Sequence, residues 1–112
     1  SGDDSLTLPM LSLGARGVIS VASHLFGSEI KSMIRNFKTG EVVAARNMHK
    51  KLYPTFRALF MAPNPIPVKA ALAYKGLIEE FVRRPLVTLT QDEKIELFRV
   101  IDSVKKELSE ED

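Results

Sequence analysis

One short run, Gly17-Val18-Ile19-Ser20-Val21, carries the only strand signal in a chain whose other apolar residues recur at helical spacing. Its β-branched residues sit between a glycine and a Ser-His pair, the boundaries expected of a strand. Val18 and Ile19 are neighbours rather than alternating with polar residues, as in strands buried on both faces of a parallel sheet. A single strand cannot make a sheet. The chain is therefore expected to be mainly α with one short strand, which either pairs with another copy or loses its strand character.

The helical pattern accounts for the rest. Thr7 to Leu13, with Pro9 near its start and Gly14 just past its end, reads as a helix whose N-cap is Asp4 or Ser5. From Ser28 onward Ile30, Met33, Ile34 and Phe37 repeat at three and four until Gly40. Glu41 to Phe60 continues with Val42, Ala45, Met48, Leu52, Phe56 and Leu59. Pro54 within it is expected to kink the helix, because proline lacks a donor and clashes with the carbonyl four residues earlier. Ala62 to Pro67 breaks the pattern, and Asn64 before Pro65 reads as an N-cap followed by proline at the first helical position. Val68 to Tyr74 then resumes a helix that stops at Gly76, and Arg83 to Leu86 reads as a linker. The last helix opens with Thr90-Gln91-Asp92-Glu93, a capping box. It runs through Ile95, Phe98, Ile101, Val104 and Leu108, with Asp102 and Lys106 as an exposed pair and Ser109 to Asp112 frayed. Glu41 to Leu108 is expected to form an antiparallel three-helix unit.

Composition removes several functions. A chain of 112 residues, 45% hydrophobic and 27% charged, can bury a core without staples. It contains no cysteine, which excludes a disulfide scaffold, a thiolate nucleophile and any thiolate-held metal. The adjacent acidic residues, Asp3-Asp4, Glu79-Glu80 and Glu110-Glu111-Asp112, lack metal-ligand spacing, so neither a metal nor another cofactor is expected. The net charge of +2 mixes 16 cations with 14 anions and gives no support to nucleic-acid binding. No stretch approaches the roughly 20 apolar residues of a membrane span, and the acidic start Ser-Gly-Asp-Asp is unlike a signal peptide, so a cytoplasmic location is expected.

Individual reactive residues read blandly. Asp3 and Asp4 fit a cap and a favourable charge on a helix dipole. His24 has no nucleophile paired with it by spacing, and His49 lies at the edge of an apolar stripe. Lys69, among Val68, Ala70, Ala71 and Leu72, suits a Schiff-base amine or a lysine that snorkels to water, and the second reading is preferred. Arg83 and Arg84 are expected to be solvated or paired with Glu79 and Glu80.

Four stretches together carry a resemblance: Ser1-Gly2-Asp3-Asp4, Leu13 to Val21 (LGARGVISV), Asn64 to Leu72 (NPIPVKAAL) and Arg84-Pro85-Leu86-Val87. In order and spacing the chain resembles the dihydrodipicolinate synthases, lyases of the class I aldolase type built on a (β/α)8 TIM barrel. The resemblance covers essentially the whole chain and implies the C-terminal part of that barrel. Ser1 to Asp4 would end strand seven, Gly17 to Val21 would be strand eight, and Ser28 to Lys38 its helix. Residues 1–40 are then the last β/α units and 41–112 the C-terminal helical extension. Because such a barrel needs about 250 residues, the chain is expected to begin where a barrel strand is finishing.

The resemblance also implies chemistry. Members condense pyruvate with aspartate semialdehyde in lysine (diaminopimelate) biosynthesis, through a Schiff base on a lysine of strand six. That lysine and its proton-relaying tyrosines and threonine lie upstream of Ser1, so no catalytic residue is expected in this chain, and the isolated chain should be inactive. What carries over is substrate binding: the Gly2 carbonyl, Asp3 beside it, Ile19 against pyruvate, and Asn64 closing the site from the extension. Leu13 matches a position at the weaker dimer–dimer contact of family homotetramers. Thr88 stands where many members carry proline. Two alternatives stay open: a helical module that self-associates through apolar surface, and another pyruvate-dependent aldolase such as N-acetylneuraminate lyase or a keto-deoxy sugar aldolase.

Overall fold

The computed structural model describes residues 1–110. A 3-10 turn at Asp4–Leu6 leads into α1 (Thr7–Leu11), followed by α2 (Ser23–Lys38), α3 (Val42–Ala58), α4 (Ile66–Tyr74) and α5 (Gln91–Ser109). Three of these helices end as the glycines dictate. Gly14, Gly40 and Gly76 adopt φ of 100°, 89° and 78° after α1, α2 and α4, a region that costs other residues strain. The residue after each glycine donates back across the helix end: Ala15 N to Met10 O at 3.0 Å, Glu41 N to Asn36 O at 2.7 Å, and Leu77 N to Leu72 O at 3.0 Å. These are Schellman caps, which satisfy carbonyls that the helix itself leaves open. At the other end of the chain α5 opens with its capping box formed: Glu93 N donates to Thr90 Oγ1 at 3.2 Å and Thr90 N to Glu93 Oε1 at 2.8 Å.

Several expectations need correction. No strand forms among the described residues. Apart from the turn into α2, where Val21 O accepts from His24 N at 3.3 Å, the run from Gly17 to Val21 has one backbone partner among the described residues, Ser1, whose amino group donates to Gly17 O at 2.8 Å while its carbonyl accepts from Ile19 N at 2.9 Å. That is a single rung of a parallel pair, and β-propensity without a ladder of neighbours does not make a strand. The helix expected from Ser28 begins at Ser23, with its first turn set off by Phe26 at φ −132° and ψ 41°. Asp3, not Asp4 or Ser5, caps the N-terminal turn, its side chain accepting from Ser5 N. Asn64 does not cap α4: Ile66 N donates to Pro63 O at 2.9 Å, so the turn absorbs Asn64, and Pro65 stands at the cap position with no side-chain bond. Helix α3 contains Pro54, as the spacing expects, but ends at Ala58 rather than Phe60.

One apolar cluster joins α2, α3, α4 and α5, and further buried side chains lie outside it. Met33 of α2, Leu52 of α3, Leu97 of α5 and Leu59 just after α3 are almost fully enclosed, each contributing about 1.5–3 kcal/mol by leaving water. Helix α2 packs most extensively on α3, while α5 touches both α3 and α4. Polar contacts over the core differ from the spacing-based pairs. Asp102 accepts from Tyr74 Oη at 2.7 Å rather than pairing with Lys106, and the Tyr74 ring stacks on Phe98 at 4.0 Å. Glu80 pairs with Lys94 at 2.5 Å, not with Arg83 or Arg84. Lys69 donates to Phe81 O at 3.0 Å, fastening the segment that precedes the Arg83–Leu86 linker to α4. Of the four residues expected to fray, Ser109 ends α5 and 111–112 lie outside the described residues.

Candidate functional site

The N-terminal segment is held to residues 17–22 from two sides. Asp4 is 3% exposed, and an ionised side chain at that depth needs partners. Its carboxylate accepts from Ser20 Oγ, from Val21 N at 3.1 Å and from Ala22 N at 2.9 Å. Two of these donors are the free amides entering α2, where a negative charge is favourable. On the other side stands the Ser1 rung. Between these two attachments lie Gly2 and Asp3, both exposed. Asp3 N donates to Ser1 Oγ at 3.1 Å, and Asp3 Oδ1 accepts from Ser5 N at 3.0 Å and Ser5 Oγ at 2.8 Å. No atom lies within 4 Å of the position a Cβ on Gly2 would take, so its backbone faces open space.

The structure therefore brings three of the sequence-derived positions together. Gly2, Asp3 and Ile19 share one end of the molecule, with Ile19 presenting its side chain to solvent at 88% exposure. Asn64 is exposed on the turn before α4, and no hydrogen bond among the described residues links it to them. Leu13, 87% exposed, sits in the turn after α1.

Asp3 and Ser5 also line an open cleft of about 540 Å³ whose other walls are Phe56, Arg57, Phe60 and Met61 at the end of α3 and Glu96 and Val100 on α5. Glu96 is engaged by Arg99, whose Nη2 and Nε lie 2.7 and 3.1 Å from its two oxygens and hold its carboxyl below the usual carboxylate range. The Arg57 side chain makes no hydrogen bond or ion pair among the described residues. Sequence reasoning missed this cleft, since Asp3, Arg57 and Glu96 are far apart in the chain and no local spacing links them.

The remaining reactive residues stay bland. His24 is exposed at the start of α2. His49 is half-buried against the rings of Tyr53 and Phe56, at 5.8 and 6.1 Å, and burial lowers its pKa below the usual histidine value. Among the described residues no group of three His, Cys, Asp or Glu side chains could hold a metal, and no helix is long and apolar enough to cross a membrane.

The model of the dihydrodipicolinate synthetase family matches residues 1–104. The chain belongs to this family. It is similar to the 4-hydroxy-tetrahydrodipicolinate synthases of Bacillus velezensis FZB42 and Bacillus subtilis 168, each 51% identical over 104 residues. Those matches cover 93% of this chain and 36% of either relative. The synthase of the thermoacidophilic methanotroph Methylacidiphilum fumariolicum SolV superposes with a TM-score of 0.95 at 44% identity, over 98% of this chain and 37% of that one. The Cyanidioschyzon merolae enzyme, solved with lysine bound, gives 0.90 at 43% identity over 94% and 36%. The chain thus spans little more than a third of the length of the curated relatives it matches. These synthases are TIM-barrel enzymes, and the helical arrangement is consistent with a part of that barrel, without the expected strand.

Proposed function

We propose that this chain contributes the C-terminal part of a cytoplasmic pyruvate-dependent lyase that condenses pyruvate with aspartate semialdehyde in lysine biosynthesis. Residues 1–40 belong to the last β/α units of the barrel and 41–112 to the helical extension. Gly2, Asp3 and Ile19 form the wall of the substrate pocket, Asn64 closes it from the extension, and Leu13 lies at a contact between subunits of a homotetramer. The observation that carries this reading is the Ser1 rung, which sets Gly2 and Asp3 beside Ile19 in a member of this family. The exposure of Ile19 and Leu13 supports surfaces that other parts of the assembly cover, and self-association of this chain through them. The name shared by the matched relatives favours the synthase over N-acetylneuraminate lyase or a keto-deoxy sugar aldolase.

In this reading the imine-forming lysine lies outside the chain. Lys69 supports that view, because its amine is tied to the Phe81 carbonyl at 3.0 Å and nucleophilic attack needs an amine free to reach a carbonyl substrate. Borohydride treatment in the presence of pyruvate, read by intact mass, is expected to leave the 112-residue chain unmodified. A stable pyruvyl adduct on this chain would sink the proposal.

A further inference from the structure

The cleft between the N-terminal turn, α3 and α5 has an uneven distribution of spent and unspent charge. Glu96 is neutralised by Arg99 through two hydrogen bonds. Asp3 Oδ1 is taken by Ser5, whereas Oδ2 has no partner among the described residues. The Arg57 guanidinium is likewise without a partner among the described residues. One guanidinium and one carboxylate edge therefore remain in a lining that also includes the apolar Phe60, Met61 and Val100. The volume of about 540 Å³ lies within the range of small-molecule sites, which combine apolar walls with a few placed polar groups.

A lone anion would meet the unspent carboxylate, and a lone cation the unspent guanidinium. A ligand carrying both charges next to an apolar tail meets neither penalty. We propose that this cleft binds a free zwitterionic α-amino acid with an apolar side chain, its carboxylate on Arg57, its ammonium on Asp3 and its side chain against Phe60, Met61 and Val100. Guanidinium is the cation suited to this task, since its planar fork matches a carboxylate in two hydrogen bonds. The site shares Asp3 with the substrate wall proposed above, but it needs neither pyruvate nor an imine, so binding measured without pyruvate tests it apart from that assignment.

The test is a titration of the 112-residue chain followed by backbone amide chemical shifts. L-Leucine is the probe, with 4-methylpentanoate, which lacks the ammonium, and 3-methylbutylamine, which lacks the carboxylate. L-Leucine is expected to produce saturable shifts at Asp3, Ser5, Arg57 to Met61 and Val100, and each analogue to bind about tenfold or more weakly, the loss expected for one charged hydrogen-bonding group. Arg57→Leu should weaken L-leucine by a similar factor while leaving distant amides in place, and Arg57→Lys should fall between the two. No saturable shift at the cleft, analogues that bind as tightly as leucine, or unchanged binding by a folded Arg57→Leu protein would each overturn the proposal.

Discussion

Replacing Asp4 with alanine tests whether one buried carboxylate fastens the start of the chain to α2. The substitution leaves Ser20 Oγ and the amides of Val21 and Ala22 without their acceptor. Ala22 is 0% exposed, so water does not reach its amide cheaply, whereas Ser20 and Val21 are half-buried and recover part of their loss. A buried donor left unpaired costs about 1–3 kcal/mol, and the lost charge at the α2 N-terminus adds about 0.3–1 kcal/mol. Weighting Ala22 most heavily gives a total near 4 kcal/mol, a large part of the roughly 5–15 kcal/mol that holds a typical domain together. Asp3→Ala is the control. Asp3 also accepts two hydrogen bonds, but it is exposed, and loss of such a cap costs about 1 kcal/mol. Urea denaturation followed by far-UV circular dichroism would measure both, with an unchanged m-value securing the comparison. In a thermal scan Asp4→Ala should melt about 15 °C or more below the parent. If the two variants lie within about 1 kcal/mol of each other, burial of the Asp4 acceptor is not what holds this junction, and the reasoning from unpaired donors fails.

Two further outcomes follow from local features. Thr90→Ala should lower stability by about 1 kcal/mol, and adding Glu93→Ala should cost less than the sum of the single changes because the two residues form one capping box; urea midpoints check this. Folding depresses the His49 pKa below its ordinary value of 6.5 by burial, so the unfolded chain binds more protons there than the folded one. The stability it confers is complete above that value and is lost as the pH falls below it. The urea midpoint of the parent should therefore drop more between about pH 7.5 and 5.5 than that of His49→Phe, since the ordinary histidine pKa lies inside this window.

How much could be read in advance follows the range of the interactions. Gly14, Gly40 and Gly76 were legible as helix stops because a positive φ and a bond between neighbouring turns are local matters. Thr90 and Glu93 were legible for the same reason, being three residues apart. Asp4 was not, because its donors lie 16 to 18 residues away and only the fold brings them to it. Asp102 likewise answers Tyr74 across 28 residues instead of its helical neighbour Lys106. The strand at Gly17 to Val21 failed for a different reason: strand propensity describes how side chains suit a pleated surface, and the pleated surface is supplied by other segments. Gly2, Asp3 and Ile19 were singled out by family resemblance and the Ser1 rung brings them to one end, whereas Arg57 became visible only when α3 met the N-terminal turn.

Ser1 and Asp4 engage residues 17–22 by different kinds of group, one through backbone and one through a side chain. Sliding the two segments by one residue would leave the backbone rung free to re-form, since every residue offers the same amide and carbonyl. It would, however, swap the two sides of the run, turning Ile19 inward and carrying the Ser20 hydroxyl away from the carboxylate. The pair therefore works as a coarse and a fine graduation: Ser1 brings the segments alongside, and Asp4 rejects every alignment except the one that leaves Ile19 facing out.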